Sequence, residues 1–357
     1  MMDYSARLKR LRNLLKLLSD EAFLIEHPID LLYLTGVELS AGKLLISLQD
    51  ACLIVDGRYY ERSCQQSLYP VQLLKEHALK EWIIDFHIHQ LAFDQHHTTY
   101  HAFLTLTQLA AALKDQSYEL NILPVDSPVQ QLRLIKDEEE IAYLRQAAQL
   151  GYQGYEFVVS LLQEGVTESE LAFELEFFWK KRGASRFAFD PIIAFGANSS
   201  MPHYRAGPTR LTLHTSVLID IGVVLAHYHS DMTRVHFFGT PSPMMKMIYS
   251  IVEEAKDQAL ILCRPGTRVG DLDRAAREYI ASKGYGDHFT HSLGHGIGLE
   301  IHEPPTLRER GIYQHMLLKA GMVITIEPGI YLPQIGGVRL EDTILITENG
   351  YENLTMP

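Results

Sequence analysis

The chain has 357 residues, of which 46% are hydrophobic and 21% charged, proportions typical of a soluble globular protein. Its formal net charge of −12 disfavours nucleic acid as a partner, because the phosphates would repel it. No uncharged apolar run reaches the roughly 18 residues that a membrane span needs. Cys52, Cys64 and Cys263 are too few and too widely spaced for a disulfide framework, so we expect a cytoplasmic protein without a membrane partner.

The first part of the chain is predicted to be an α/β domain. A leucine-rich segment with one apolar face predicts a helix over roughly residues 5–18. Short apolar runs that predict strands follow at residues 22–25, 44–46 and 52–55. Helix-like and strand-like segments alternate up to about Pro124, and Asp126-Ser127-Pro128 indicates a boundary. We therefore divide the chain into domains 1–127 and 128–357.

The second part is predicted to be an α+β domain. Asp137 with Glu140, and Thr167 with Glu170, have the spacing of capping boxes and predict two helices. A third helix is predicted over residues 271–283. Segments rich in β-branched residues predict strands at residues 215–225, 228–238, 322–326 and 338–347. This pattern indicates a curved antiparallel sheet backed by helices.

Two acids interrupt the apolar strand sequence between residues 215 and 238. Asp220 and Asp231 are eleven residues apart. A hairpin that turns near residues 225–226 would place them directly opposite each other, on one face of the sheet. We therefore predict that these two carboxylates face each other.

Glu327 and Glu341 repeat this arrangement, because they are symmetric about Gln334 in a loop of turn-forming residues. Opposed carboxylates on a buried face repel each other, unless one is protonated or a cation neutralises them. Two divalent ions would balance the four acids of the two pairs. The alternative is that each acid is solvated or paired with a basic side chain, as most strand acids are.

A histidine-rich and glycine-rich segment lies at residues 291–303. Imidazole is a common metal ligand, so His295 would add one nitrogen to a site made otherwise of oxygens. The glycines do not have the spacing of a dinucleotide-binding loop, and His302-Glu303 lacks the second histidine of a zinc-protease helix. A second histidine group, in the first domain, has no acids arranged around it, and we interpret it as compositional: His87, His89, His96, His97 and His101.

Taken together, these motifs resemble the pita-bread metallopeptidases, which include Xaa-Pro aminopeptidase and Xaa-Pro dipeptidase (prolidase). The matching segments are Phe189-Asp190-Pro191-Ile192-Ile193, Met201-Pro202-His203, Asp220, Asp231, Gly294-His295-Gly296-Ile297-Gly298, His302-Glu303, Ile326-Glu327-Pro328-Gly329 and Val338-Arg339-Leu340-Glu341-Asp342-Thr343. The first domain resembles the domain that precedes the catalytic domain in the proline-specific members. The resemblance therefore covers nearly the whole chain.

The resemblance implies a role for each matching residue. The implied metal ligands are Asp220, Asp231, His295, Glu327 and Glu341, with Asp231 and Glu341 touching both ions. Glu327 is also the implied general base. His203 and His302 would bind substrate, stabilise the transition state or shuttle protons, while His291 and Arg339 would support the site.

The function implied is that of a metallopeptidase that releases the N-terminal residue from peptides with proline in second position, an Xaa-Pro aminopeptidase. Two metal ions would activate a water for attack on the scissile carbonyl. Mn²⁺ suits this ligand set, and Co²⁺, Fe²⁺ or Zn²⁺ are alternatives. The resemblance also implies a homodimer. The alternatives are a prolidase, an inactive relative that binds a partner, and a creatinase-like hydrolase; the complete ligand set counts against the last two.

Overall fold

The structure, a computed structural model, describes residues 2–75 and 77–356 and contains two compact units, residues 1–133 and 134–357. The boundary predicted from the sequence lies before helix Pro128–Arg133, which packs in the first unit against helix Tyr4–Leu15. Arg133 forms a buried ion pair there with Asp30, at 2.8 Å. These contacts explain why the first unit extends past residue 127.

The first unit is built on one six-stranded mixed sheet. Its strands are β1 (Glu21–Ile25), β2 (Lys43–Ser47), β3 (Ala51–Val55), β4 (Val71–Leu73), β5 (Gln90–Asp94) and β6 (Asn121–Val125). Its helices are α1 (Tyr4–Leu15), α2 (Pro28–Thr35), α3 (Tyr60–Gln66), α4 (Ala78–Asp85), α5 (Tyr100–Lys114) and α6 (Pro128–Arg133). The strand order is β4-β3-β2-β1-β5-β6, antiparallel at β1–β2 and β2–β3 and parallel elsewhere. The α/β prediction is confirmed.

The second unit combines antiparallel sheets with helices, as predicted. Its helices are α7 (Glu138–Ser160), α8 (Glu168–Lys180), α9 (Pro243–Leu260) and α10 (Val269–Ser282), with 3₁₀ turns at Gly196–Ser200 and Gly286–His288. Its strands are β7 (Arg186–Phe187), β8 (Ile192–Phe195), β9 (Thr215–Ile221), β10 (Val223–Leu225), β11 (Tyr228–His229), β12 (Met232–Phe238), β13 (Gly294–Gly296), β14 (Glu303–Leu307), β15 (Val323–Ile326), β16 (Gly329–Leu332), β17 (Gly336–Arg339), β18 (Asp342–Ile346) and β19 (Tyr351–Asn353). Both capping boxes are present at the N-termini of α7 and α8.

Two sheets of the second unit carry most of its functional side chains. One has the order β12-β9-β8 and the other β14-β13-β15-β18-β19, and every neighbouring pair in them is antiparallel. Helices α9 and α10 pack against each other and share a large apolar core with these strands. Among the described residues, no helix has both the length and the apolar character that crossing a membrane requires.

The hairpin that carries Asp220 turns one residue later than predicted. Ala226 and His227 both have positive φ, 48° and 72°, as a two-residue hairpin turn requires. The register therefore pairs Asp220 with Thr233, so the predicted pairing of Asp220 with Asp231 is wrong. The predicted and the observed partner of each residue thus differ by two positions. Because side chains alternate between the two faces with a period of two, the predicted face of the sheet is still correct.

The hairpin that carries Glu327 has the predicted register. Gln334, with a φ of 64°, lies at its tip, and the pairs Gly329 with Arg339 and Ile326 with Asp342 are both symmetric about it. Glu327 and Glu341 lie between these two paired stretches. The predicted symmetry of the two glutamates is confirmed.

We expect Gly154→Ala to lower the free energy of unfolding by roughly 1–2 kcal/mol, because an added methyl group overpacks the contact between α7 and α8. A Cβ at Gly154 would lie 2.5 Å from the Trp179 ring, whose indole N–H donates to the Leu150 carbonyl at 2.9 Å and is therefore held in place. Urea unfolding would measure the change. Gly57→Ala is the control, since a Cβ there meets no atom within 4 Å; equal effects of the two substitutions would contradict the packing argument.

Candidate metal centre

One cavity of about 410 Å³ in the second unit brings all the predicted site residues together. Its lining includes the nine predicted residues His203, Asp220, Asp231, His291, His295, His302, Glu327, Arg339 and Glu341. The remaining lining residues are Phe189, Ile192, Pro202, Ser292, Ile301 and Thr306. The cavity lining therefore combines polar and ionisable side chains with several apolar ones.

The acids lie where strands are interrupted or end. Asp231 lies between β11 and β12, and Glu341 between β17 and β18. The backbone N–H of Glu341 donates to the Thr233 carbonyl at 3.0 Å, and that of Glu327 donates to the Leu293 carbonyl at 2.7 Å. The first of these contacts joins the two sheets, and the second holds Glu327 against the start of β13, so the acids meet where the sheets come together.

His295 is held in one tautomer and one position. Its Nδ1–H donates to the carbonyl of Gly296 at 2.9 Å, which leaves a lone pair on Nε2. Nε2 lies 3.5 Å from Asp231 Oδ2 and 3.6 Å from Glu327 Oε1. Gly294 permits the close approach of β15, since a Cβ there would lie 2.0 Å from the carbonyl oxygen of Thr325.

The carboxylates are crowded and shielded from water. Burial, followed by the charges of Asp220 and Glu327, raises the pKa of Asp231 well above its usual value. Burial and the charge of Asp231 do the same to the pKa of Glu341. Burial, reinforced by Glu341, raises the pKa of Glu327 to about 8. The bare site is therefore electrostatically unfavourable, as the sequence pattern suggested.

Arg339 partly compensates for this crowding. Its guanidinium donates to Asp220 Oδ2 at 2.5 Å, to the Tyr331 hydroxyl at 2.6 Å and, through Nε, to Thr233 Oγ1 at 3.2 Å. The Tyr331 hydroxyl also forms a hydrogen bond with His291 Nε2 at 2.8 Å. His291 and Arg339 are thus connected through Tyr331.

The donor set fits divalent cations. One ligand atom each from Asp231, His295 and Glu341 lie within 4.8 Å of one another. Asp220 Oδ1 is buried and has no hydrogen-bond partner among the described residues. A buried acceptor without a donor is costly, and a cation would satisfy it. Four carboxylates and one imidazole make a hard-to-borderline set that suits Mn²⁺, Co²⁺, Fe²⁺ or Zn²⁺.

His203 and His302 are exposed residues of the cavity lining. The rings of His302 and His295 are 4.3 Å apart and nearly perpendicular. Partial burial, together with His295 and His203, lowers the pKa of His302 to about 4, so its imidazole is neutral at pH 7. A neutral imidazole keeps one N–H and can donate a hydrogen bond to a substrate oxygen.

Tyr331 and Thr233 are site residues that the sequence analysis missed. Thr233 Oγ1 donates to Glu341 Oε2 at 2.8 Å while accepting from Arg339. Tyr331 is paired with Gly337 in the register about Gln334. That register was predicted, so the period of two along the strand could have placed Tyr331 on the face of Glu327 and Arg339.

His27, His96 and His97 of the first unit each lie near an acid, and the last two belong to the histidine group singled out from the sequence, which therefore does have acids beside it. The rings of His27 and His97 stack 3.9 Å apart, and His27 Nδ1 lies 3.5 Å from Asp30 Oδ2. Asp30 already forms its ion pair with Arg133, and His97 Nδ1 hydrogen-bonds Asp94 at 2.8 Å. Asp30 and His97 Nδ1 are thus already engaged by partners within the first unit.

Buried carboxylates converging with one imidazole define a candidate metallohydrolase. Residues 142–348 match metallopeptidase family M24, and residues 7–135 match the creatinase/prolidase N-terminal domain. The chain therefore belongs to metallopeptidase family M24, and the predicted resemblance to the pita-bread metallopeptidases is confirmed. It is an enzyme of the hydrolase class.

Individual relatives cover nearly the whole chain. An Xaa-Pro dipeptidase from Pyrococcus furiosus is 36% identical over 97% of this chain and 97% of its own. The crystal structure of the prolidase from Pyrococcus horikoshii is 37% identical, with a TM-score of 0.88 and 98% coverage of both chains. The crystal structure of an X-Pro aminopeptidase from Thermotoga maritima is 34% identical, with a TM-score of 0.87 and the same coverage.

Proposed function

We propose that this protein is a dinuclear metal-dependent Xaa-Pro dipeptidase, a prolidase. The observation that carries the metal-dependent part is that four mostly buried carboxylates and one histidine line the same cavity, with Asp231 and Glu327 within 3.6 Å of His295 Nε2. The proline-specific part is supported by the relatives, among which Xaa-Pro dipeptidases are prominent. The sequence favoured an Xaa-Pro aminopeptidase first, and these relatives support its alternative better.

The metal ions would be held by Asp220, Asp231, His295, Glu327 and Glu341. When bound, a pair of divalent ions lowers the pKa of a water enough for it to act as a nucleophile near neutral pH. Arg339 stays on Asp220 and fixes the orientation of that carboxylate. The Gly296 carbonyl keeps the His295 lone pair directed at the acids.

Three side chains would act on the peptide itself. Glu327 lies beside His295 in the cavity lining, where its carboxylate can accept a proton and pass it to the leaving nitrogen. His302 would donate its N–H to the developing oxyanion, where a fixed donor is most effective. His203 would hold the far side of the substrate. The apolar lining residues Phe189, Ile192, Pro202 and Ile301 offer apolar contacts that suit a proline ring.

An Xaa-Pro aminopeptidase is the second candidate, because the cavity offers few cationic groups to bind the free carboxylate of a dipeptide. A dipeptide carries a free carboxylate next to the scissile bond, and that carboxylate needs a cation or several donors. Of the lining residues that the structure describes, Arg339 is the one fixed cation, and its guanidinium already donates to Asp220 and Tyr331. A longer peptide would not need such a partner.

Matched peptides test the proposal. The metal-stripped protein, reloaded with Mn²⁺, would be assayed on an Xaa-Pro dipeptide, the corresponding Xaa-Ala dipeptide and an Xaa-Pro-Xaa tripeptide. We expect cleavage of Xaa-Pro and little of the other two. Cleavage of the tripeptide would establish the aminopeptidase instead. If no peptide is cleaved while two metals are bound, the proline-specific proposal is wrong.

Three properties expected from the sequence remain predictions: Mn²⁺ as the physiological metal, a homodimer and a cytoplasmic location. Analytical ultracentrifugation would test the second of them directly.

A further inference from the structure

Glu168, the first residue of α8, is a fully buried carboxylate that the sequence analysis did not assign to the site. Its Oε1 accepts from the Phe195 N–H at 2.8 Å and from the Asn198 side-chain amide at 2.9 Å. Its Oε2 accepts from the Tyr204 hydroxyl at 2.8 Å and from the Gly207 N–H at 3.1 Å. A carboxylate has about four acceptor positions, so this one is fully used.

All four donors belong to one segment of chain, residues 195–207. The segment contains the 3₁₀ turn Gly196–Ser200 and then a tight turn in which the Tyr204 N–H donates to the Met201 carbonyl at 3.1 Å. His203 lies inside that turn and lines the cavity. The chain on both sides of His203 is therefore tied to the same buried carboxylate.

We propose that Glu168 is a positioning residue that holds the His203 segment at the substrate cavity. The role of His203 in holding substrate belongs to the proposed function, and this inference rests on it. Glu168 does not line the cavity, so it acts through the segment 195–207 and not on the peptide.

A carboxylate suits this task better than an amide. Four N–H or O–H groups point at it, and a glutamine would present an NH₂ group to two of them. The N-terminus of α8 also favours a negative charge at this position. Burial, followed by Glu168, raises the pKa of Tyr204, which keeps its hydroxyl protonated and able to donate.

The other side of the segment is fixed independently. The Gly337 N–H donates to Ser199 Oγ at 2.8 Å, and a Cβ at Gly337 would lie 2.2 Å from the Ser199 carbonyl oxygen. Gly337 belongs to β17, the strand that ends at Arg339. Residues 196–200 are thus anchored to the site hairpin, whereas the chain just after His203 is tied to Glu168 through Tyr204 and Gly207.

Glu168→Gln tests the proposal, with Glu174→Gln as the matched control, because Glu174 is an exposed acid on the same helix. We expect Glu168→Gln to keep its bound metal and to lose about 10- to 100-fold in kcat/KM, since a displacement of about 1 Å can cost that much. Most of the loss should appear in KM. Hydrogen–deuterium exchange should rise in a peptide covering residues 196–207 and stay unchanged elsewhere in the second unit.

A double-mutant cycle with His203→Ala separates positioning from general destabilisation. If Glu168 acts through His203, the double variant will be no slower than His203→Ala alone. Additive losses, or unchanged exchange at residues 196–207, would overturn the proposal. Raised exchange in a protein whose wild type cleaves no Xaa-Pro peptide would refute the proposed function alone. If Glu168→Gln does not fold, Tyr204→Phe, which removes one of the four donors, should show the same pattern more weakly.

Discussion

Asp231→Asn and Glu341→Gln are each expected to remove bound metal and activity together, with kcat/KM falling roughly a thousand-fold or more. A bound metal stabilises the charge of the transition state by several kcal/mol, and each 1.36 kcal/mol corresponds to a factor of ten in rate. Both side chains are buried, and both lie in the group whose ligand atoms are within 4.8 Å. Metal content by plasma mass spectrometry and steady-state kinetics would measure the two losses.

The same substitutions should leave the stability of the metal-free protein unchanged or raise it, although they abolish metal binding and activity. Burial and neighbouring acids raise the pKa of both carboxyls, so removing one charge relieves repulsion in the bare site. The metal-free variants should therefore unfold at the same temperature as the metal-free wild type or a higher one, and gain little when Mn²⁺ is added. The control variants are Asp257→Asn and Glu253→Gln, because both of these acids are exposed. A variant that retained two metals and full activity would show that its carboxylate is not a ligand.

His302→Ala is expected to keep the metal and lose about 100- to 1,000-fold in kcat, the range for removal of one donor to a developing oxyanion. Its ring lies 4.3 Å from that of His295, and its lowered pKa of about 4 leaves a neutral imidazole that donates through one N–H. A Gln at this position would keep a donor and should restore part of the rate.

The control for this substitution is His315→Ala, because His315 is exposed and lies outside the cavity lining. An unchanged kcat in His302→Ala would contradict the role of His302 as a donor to the oxyanion. Loss of metal in the same variant would instead indicate that His302 stabilises the ligand His295, and the two outcomes are distinguished by the metal count.

The sequence predicted those parts of the fold that depend on local periodicity. The capping boxes at Asp137 and Thr167 mark helix starts that the structure confirms. The glutamate hairpin was predicted correctly because its loop has a clear centre at Gln334. The aspartate hairpin was misplaced by one residue because its turn, Ala226-His227, contains no glycine or asparagine to reveal the positive φ values.

Helix α9 was missed although its N-terminal signal is present. Ser242 accepts a hydrogen bond from the Met245 N–H, and Pro243 occupies the first turn. Its buried face, however, is made partly of methionine and alanine, which are weak markers of an apolar stripe. Glu168 was missed for another reason: its role arises from hydrogen bonds with a distant segment, which no local pattern encodes.

The number of metal ions that the wild-type chain binds tests the proposed dinuclear metal site most directly. Metal-stripped protein would be dialysed to equilibrium against increasing Mn²⁺, and the bound ions counted per chain. We expect saturation at about two ions per chain, and a lower count in Asp231→Asn and Glu341→Gln. Saturation below one ion, or the same count in the wild type and both variants, would contradict the assignment of Asp220, Asp231, His295, Glu327 and Glu341 as a dinuclear metal site.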